Sequence, residues 1–175
     1  AAMGQMLEPT TLDLLAGPRS LGDGEGVTGL VNSARFTWQS PPAGPFASKL
    51  GSQVVLLRGT ATKADTTVKF LAQADGDEVR DGDDQVEVAG CAFGAKPGQA
   101  GVEVTGDGTV TLRLTPSVWL AQVDFAYVAE GAEGAPTPDA DGVVDLAGTL
   151  AWQGFIRGVK KGTAYEFTYR AEEGS

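Results

Sequence analysis

The sequence predicts an all-β protein, an antiparallel β-sandwich with Greek-key or jelly-roll-like connections and about 8–10 strands; a β-barrel is the alternative. Three observations predict it. From Gly29 onward, apolar and polar residues mostly alternate with a period of two. Gly-, Pro- and Asp-rich stretches such as QSPPAGP and AEGAEGAPTPDADG interrupt the alternation at short intervals. No apolar stripe of helical period persists for three turns. A chain of 175 residues with 42% hydrophobic residues can bury a sizeable core without disulfide staples.

Residues 1–26 stand apart as an N-terminal arm and linker, and residues 27–175 form the sandwich domain. The opening AAMGQM does not start on methionine and reads as a processed or engineered start, with a leader removed. EPTTLDLLAG fits either one helical turn, N-capped by Thr10 or Thr11, or an extended arm. Its candidate contact residues are Leu12, Leu14 and Leu15. SLGDGEG reads as a flexible linker.

The first strand places Leu30, Ala34, Phe36 and Trp38 on one face, with Asn32 as the polar exception. Val54 to Thr62 is a continuous apolar run turning polar, as in a buried strand. Val68, Phe70 and Ala72 then alternate with Thr67, Lys69 and Leu71. Val86 and Val88 share a face, but Cys91 and Phe93 lie out of step beyond Gly90, which predicts a β-bulge there. Asp107-Gly108 between VEVT and TVTLRL predicts a tight hairpin, with Val110, Leu112 and Leu114 pointing inward. Trp119, Ala121, Val123, Phe125 and Tyr127 predict one long strand. VVDLAGTLAWQGFIRG and TAYEFTYRA finish the chain, the latter with Tyr165, Phe167 and Tyr169 on one face.

Composition excludes several function classes. The net charge of −10 disfavours nucleic acid and anionic membrane surfaces as partners. No run of 18 apolar residues exists, so no transmembrane helix is expected. Cys91 is the single cysteine, which rules out an internal disulfide and a cysteine zinc site, and it reads as an inert buried hydrophobe. Histidine is absent, so no Ser-His-Asp triad, Cys-His pair or imidazole metal site can form.

Two acidic stretches invite a Ca²⁺ reading. DGDEVRDGDDQVEV fails the EF-hand spacing in both registers: from Asp75, Val79 falls at position 5, and from Asp81, Val86 falls at position 6. It reads instead as a solvated hairpin tip. In TPDADGVVDLAG, Thr137, Asp139, Asp141, Gly142 and Asp145 occupy positions 1, 3, 5, 6 and 9, but Gly148 stands at position 12. Asp139, Asp141 and Asp145 are thus the candidate ligands of a weak Ca²⁺ site, against an Asp-Gly turn as the plainer reading. No other cofactor is expected. Trp38, Trp119 and Trp152 could stack sugars, but their apolar neighbours favour core packing. Asp124 and Glu166 fall on outward positions of their strands, and no spacing singles out a catalytic pair, so no catalytic residue is assigned and no enzyme is expected.

Two local resemblances complete the reading. LAGPRSLGDGEGVTGLVNSARF resembles the opening of NHL-type propeller repeats, but no second copy follows, and a propeller needs several blades. Trp119, Leu120, Val123, Asp124 and Phe125, followed by Arg157, Gly158, Val159, Lys160, Gly162 and Thr163, resemble an uncharacterised family of bacterial exported or lipid-anchored β-domains. The resemblance spans the last third of the chain and implies export and a β-fold, and no activity. No lipobox cysteine is present to support an anchor. The expectation is a non-enzymatic structural or assembly protein of a bacterial surface, filament or particle, in an extracellular, periplasmic or cell-surface setting. It would act by edge-strand or arm docking, by self-association or with another surface protein. A carbohydrate- or calcium-binding sandwich module is the alternative.

Overall fold

The computed structural model describes residues 4–6, 8–80, 87–129 and 133–172. Strands hold 38% of them and helices 19%, so the protein is all-β in class. In chain order, the strands before the first long hairpin are β1 (Gly4–Gln5), β2 (Glu25–Gly26), β3 (Gly29–Val31) and β4 (Ser33–Thr37). A one-turn helix α1 (Ala47–Leu50) precedes β5 (Gln53–Lys63) and β6 (Thr66–Asp75). Then come α2 (Gly76–Val79), β7 (Glu87–Gly94), β8 (Val102–Val104), β9 (Gly108–Leu114), α3 (Pro116–Leu120) and a 3-10 turn at Phe125–Val128. The chain closes with β10 (Val143–Asp145), α4 (Leu150–Val159), a 3-10 turn at Gly162–Ala164 and β11 (Tyr165–Ala171).

β5 and β6 pair antiparallel from Lys63↔Thr66 to Gln53↔Asp75. The face of Val68, Phe70, Ala72 and Ala74 is buried. The Phe70 ring lies across Gly59 of β5, with ring carbons 3.1 and 3.2 Å from where a Cβ would stand, so the glycine is a seat for the aromatic ring. The two-residue turn Ala64-Asp65 puts Ala64 at φ 50°, a left-handed conformation that costs a non-glycine residue about 1–2 kcal/mol. Asparagine tolerates that conformation. Ala64→Asn is expected to stabilise the protein by about 0.5–1 kcal/mol, read as a higher urea midpoint at unchanged m-value.

β10 joins β6 in parallel to complete a three-stranded sheet, ordered β10-β6-β5. A four-stranded sheet follows the order β4-β7-β11-β9. Within it β4/β7 and β11/β9 are antiparallel, and β7/β11 is parallel. The strand-rich class therefore holds, while two pairings depart from the antiparallel expectation. Parallel neighbours need long crossovers, and α4 lies in the one that leads from β7 to β11. Two short ribbons, β1-β2 and β3-β8, complete the sheet structure.

The bulge expected at Gly90 is present. Ala34↔Cys91 is followed by Phe36↔Val88, so three steps on β7 face two on β4, and Gly90 takes φ 70°. The hairpin expected at Asp107-Gly108 is not formed: the chain only bends at Gly106-Asp107, Gly108 begins β9, and β8 pairs with β3 while β9 pairs with β11. The acidic stretch from Asp75 is not a hairpin tip either, because β6 and β7 belong to different sheets. Its described half is the one-turn α2, closed by a capping box in which Asp75 accepts from Asp77 N and Glu78 N while Glu78 accepts from Asp75 N. Residues 81–86 of that stretch lie outside the described residues.

The long strand expected from Trp119 to Tyr127 is instead α3, a short loop and a 3-10 turn. Trp119 is buried, Phe125 meets Phe70 with ring centroids 4.8 Å apart, and Tyr127 is exposed. The second correction is α4. Ala151, Gly154, Phe155, Gly158 and Val159 are buried at helical spacing. Two of those five are glycines, which carry no apolar side chain, and this hides the stripe in the sequence. Thr149 caps the helix by accepting from Trp152 N at 3.1 Å.

A single cluster of buried side chains draws on β5, β6, β7, β10, β11 and the helices α3 and α4. Tyr165, Phe155, Leu146 and Val159 are among its fully buried members.

Candidate functional site

The N-terminal arm folds back on itself. β1 pairs antiparallel with β2 through Gly4↔Gly26 and Gln5↔Glu25. Between them the chain makes one turn, set by Asp13, whose carboxylate accepts from Leu15 N at 3.0 Å while its carbonyl accepts from Ala16 N at 3.1 Å. The expected N-cap Thr11 serves another purpose. It is buried, and its hydroxyl accepts from Phe46 N at 2.8 Å, tying the arm to the loop before α1. Gly44 makes the approach feasible, since a Cβ there would stand 2.8 Å from Thr11 N.

Leu12 is half-buried, Leu14 is exposed, and Leu15 is 96% exposed. Among the described residues, nine large apolar side chains are exposed, and five of them, Met6, Leu14, Leu15, Val27 and Leu30, lie in residues 4–31. Apolar exposure is concentrated at this end of the chain and is not spread evenly.

A groove of about 320 Å³ opens between the β5–β6 hairpin tip and the segment after α3. Ala61, Thr62, Val68 and Phe125 are among its walls, and Asp124 stands at its margin. The Asp124 carboxylate is engaged as the cap of the 3-10 turn, accepting from Ala126 N at 3.0 Å. The sequence placed Asp124 and Phe125 in a strand, so it gave no sign of this groove.

Two of the three candidate Ca²⁺ ligands, Asp139 and Asp145, accept backbone N–H groups. One Asp139 oxygen accepts from Asp141 N at 2.9 Å and from Val143 N at 2.8 Å. Asp145 accepts from Ala147 N at 3.0 Å and from Gln73 Nε2 at 3.2 Å. The Asp141 carbonyl receives Lys69 Nζ at 3.3 Å, which brings a positive charge to the loop. Among the described residues, no three His, Cys, Asp or Glu side chains gather as a metal-holding group. The loop is thus an Asx-turn that starts β10.

The other singled-out residues are dispersed. Trp38 and Trp119 pack with Phe36 and Tyr165 in the core, with Trp38 4.8 Å from Phe36 and 6.2 Å from Trp119 between ring centroids. Trp152 is half-buried and donates its indole N–H to Gln73 O at 3.0 Å. The three tryptophans form no common platform. Glu166 is half-buried on β11, accepts from Gly98 N at 2.5 Å and lies 3.8 Å from Arg113. Cys91 is fully buried and donates its thiol to Val88 O at 3.2 Å.

The two segments that carry the C-terminal resemblance pack on one another. Gly158 abuts the Trp119 backbone so closely that a Cβ would stand 2.3 Å from Trp119 O. No family model, curated protein or solved structure matches this chain.

Proposed function

We propose that this protein is a non-catalytic structural or assembly subunit of a bacterial surface, filament or particle, exported to its place of action. It docks through its N-terminal arm and exposed strand edges, onto further copies of itself or another surface protein. The observation that carries this reading is the apolar exposure of the arm, led by Leu15, beside the hydrogen bond that ties Thr11 to the loop before α1. An arm that presents leucines to water is suited to cover a neighbour's surface. The exported setting rests on the resemblance of the Trp119 and Arg157 segments. The charge of −10 keeps such a subunit soluble before assembly.

The test is the mass distribution of the full chain by light scattering over a range of concentrations. The wild type is expected to grow beyond a dimer as concentration rises, and Leu14→Lys/Leu15→Lys is expected to stop that growth without changing the far-ultraviolet circular dichroism. Equal growth in the variant would reject the arm as the docking element. The groove beside Phe125 favours a second reading, a module for a small ligand such as a carbohydrate. Under that reading, glycans shift the tryptophan fluorescence; silence across a glycan panel supports the structural role.

A further inference from the structure

Among the described residues, β9 is paired along one side only. All seven of its residues pair with β11, from Gly108↔Ala171 to Leu114↔Tyr165. Among the described residues, no strand pairs with its other side. Folded proteins usually blunt such an edge with proline, lysine, a bulge, a cover or short length. The other three edges of the two larger sheets follow that practice. β10 has three residues, β4 carries the register shift opposite Gly90, and β5 has α1 against it and a shift near Gln53. β9, Gly-Thr-Val-Thr-Leu-Arg-Leu, has no proline, no lysine and no register shift. Its Val110 is 53% exposed.

We propose that two copies of this chain join β9 to β9, antiparallel, across a two-fold axis at Val110. This rests on the assembly reading above and names one partner and one edge for it. Residues opposite each other in such a pair point to the same face, so the two-fold must pass through a residue, and each choice of residue fixes one register. An axis at Val110 sets Val110 against Val110, Thr109 against Thr111, Gly108 against Leu112, and Asp107 against Arg113. Only this choice sets Asp107 opposite Arg113, and symmetry makes the opposite-charge pair twice. An axis at Thr111 or Leu112 puts a threonine opposite Arg113, and an axis at Arg113 makes the two cations face each other. In a chain of net charge −10, random surface contact is repulsive, so an edge with two attractive pairs is selective. The Arg113 side chain is 65% exposed and its fork of donors can serve Glu166 and a partner's carboxylate together. The most exposed apolar residue of the strand lies at the centre of the joint, and the two four-stranded sheets become continuous.

Val110→Cys tests the axis directly. Cα atoms of opposed residues in an antiparallel pair stand about 4.5–5.5 Å apart, within disulfide reach. Under mild oxidation the variant is expected to run as a covalent dimer on a non-reducing gel. Thr60→Cys, exposed on β5, is the control and is expected to stay monomeric; Cys91 is fully buried and does not compete. Arg113→Asp and Asp107→Arg are each expected to weaken dimerisation by roughly tenfold or more in sedimentation equilibrium, and the double exchange is expected to restore it. Cross-linking of Val110→Cys no faster than the control, or no recovery in the double exchange with native circular dichroism, overturns the proposal. Adding Leu14→Lys/Leu15→Lys to Val110→Cys separates the two readings. A retained cross-link with growth stopped upholds both, a lost cross-link with growth stopped rejects the edge alone, and a retained cross-link with growth unaffected by the arm substitutions rejects the arm alone.

Discussion

Gly158→Ala is expected to lower the melting temperature by roughly 6–12 °C, corresponding to about 3 kcal/mol. The direction is diagnostic, because two effects oppose each other. In an ordinary exposed helix position, replacing glycine by alanine stabilises by about 1 kcal/mol. At Gly158 the added carbon would stand 2.3 Å from Trp119 O and 2.6 Å from Trp119 Cα, both backbone atoms that no rotamer change can clear. Gly154 meets the same obstacle, 2.2 Å from Gln122 O. The two glycines, one turn apart on α4, let its backbone lie directly on α3 and the loop that follows. The steric term therefore wins, α4 must back away from α3, and the buried Phe155 and Val159 move with it. Gln153→Ala, exposed on the same helix, serves as control and is expected to leave stability the same or slightly higher. A stabilised Gly158→Ala protein would refute the backbone contact between α3 and α4.

The second large effect is expected at Tyr165. Its side chain is fully buried, stacks on Phe36 at 4.7 Å and donates its hydroxyl to Val159 O at 2.6 Å. Val159 closes α4, so the phenol satisfies one of the helix's orphan carbonyls. Tyr165→Ala is expected to cost about 3–5 kcal/mol, as for other large aromatic deletions, and Tyr165→Phe about 1–3 kcal/mol from the stranded carbonyl. Burial pushes the phenol well above its usual value. The indole N–H groups of Trp119 and then Trp38 pull the other way, and the neighbouring Cys91 adds to the rise. Those two N–H groups are buried and fall short of hydrogen-bond geometry with any partner among the described residues, so their effect on the phenol is that of nearby dipoles. A phenol whose value is higher folded than unfolded holds its proton more tightly in the folded state. Its contribution is complete below about pH 10, the unfolded value, and declines as pH rises above it. Urea midpoints measured from pH 8 to 11.5 are expected to fall more steeply for the wild type than for Tyr165→Phe. Parallel curves would show that the phenol does not ionise on unfolding.

How much of this was legible depends on which force sets each element. The strand β6 was readable because Val68, Phe70 and Ala72 alternate with Thr67, Lys69 and Leu71 and that face is buried along its length, so pattern and environment agree. The Gly90 bulge was readable because an odd residue in a period of two leaves a phase error. The segment from Trp119 to Tyr127 misled, since a period of two over so few residues can be satisfied by a helix end, a loop and a 3-10 turn. The leucines of the arm were singled out from sequence, and two of the three are exposed. The edge at β9 was not visible, because TVTLRL reads the same whether one or both of its sides are paired.

The sequence by itself determined the strand-rich class, the lack of imidazole and of an internal disulfide, and the bulge at Gly90. These follow from composition and local periodicity, which a chain carries wherever it folds. Tertiary structure alone decided that β8 and β9 part company, that β7 and β11 run parallel, and that GFIRG is a helix. Each of those outcomes is set by a surface supplied from a distant stretch: the backbone of Trp119 and Gln122 under Gly158 and Gly154, and β11 beside β9. Close contact between main chains rewards the lack of a side chain, and a lack leaves no hydrophobic mark in the sequence.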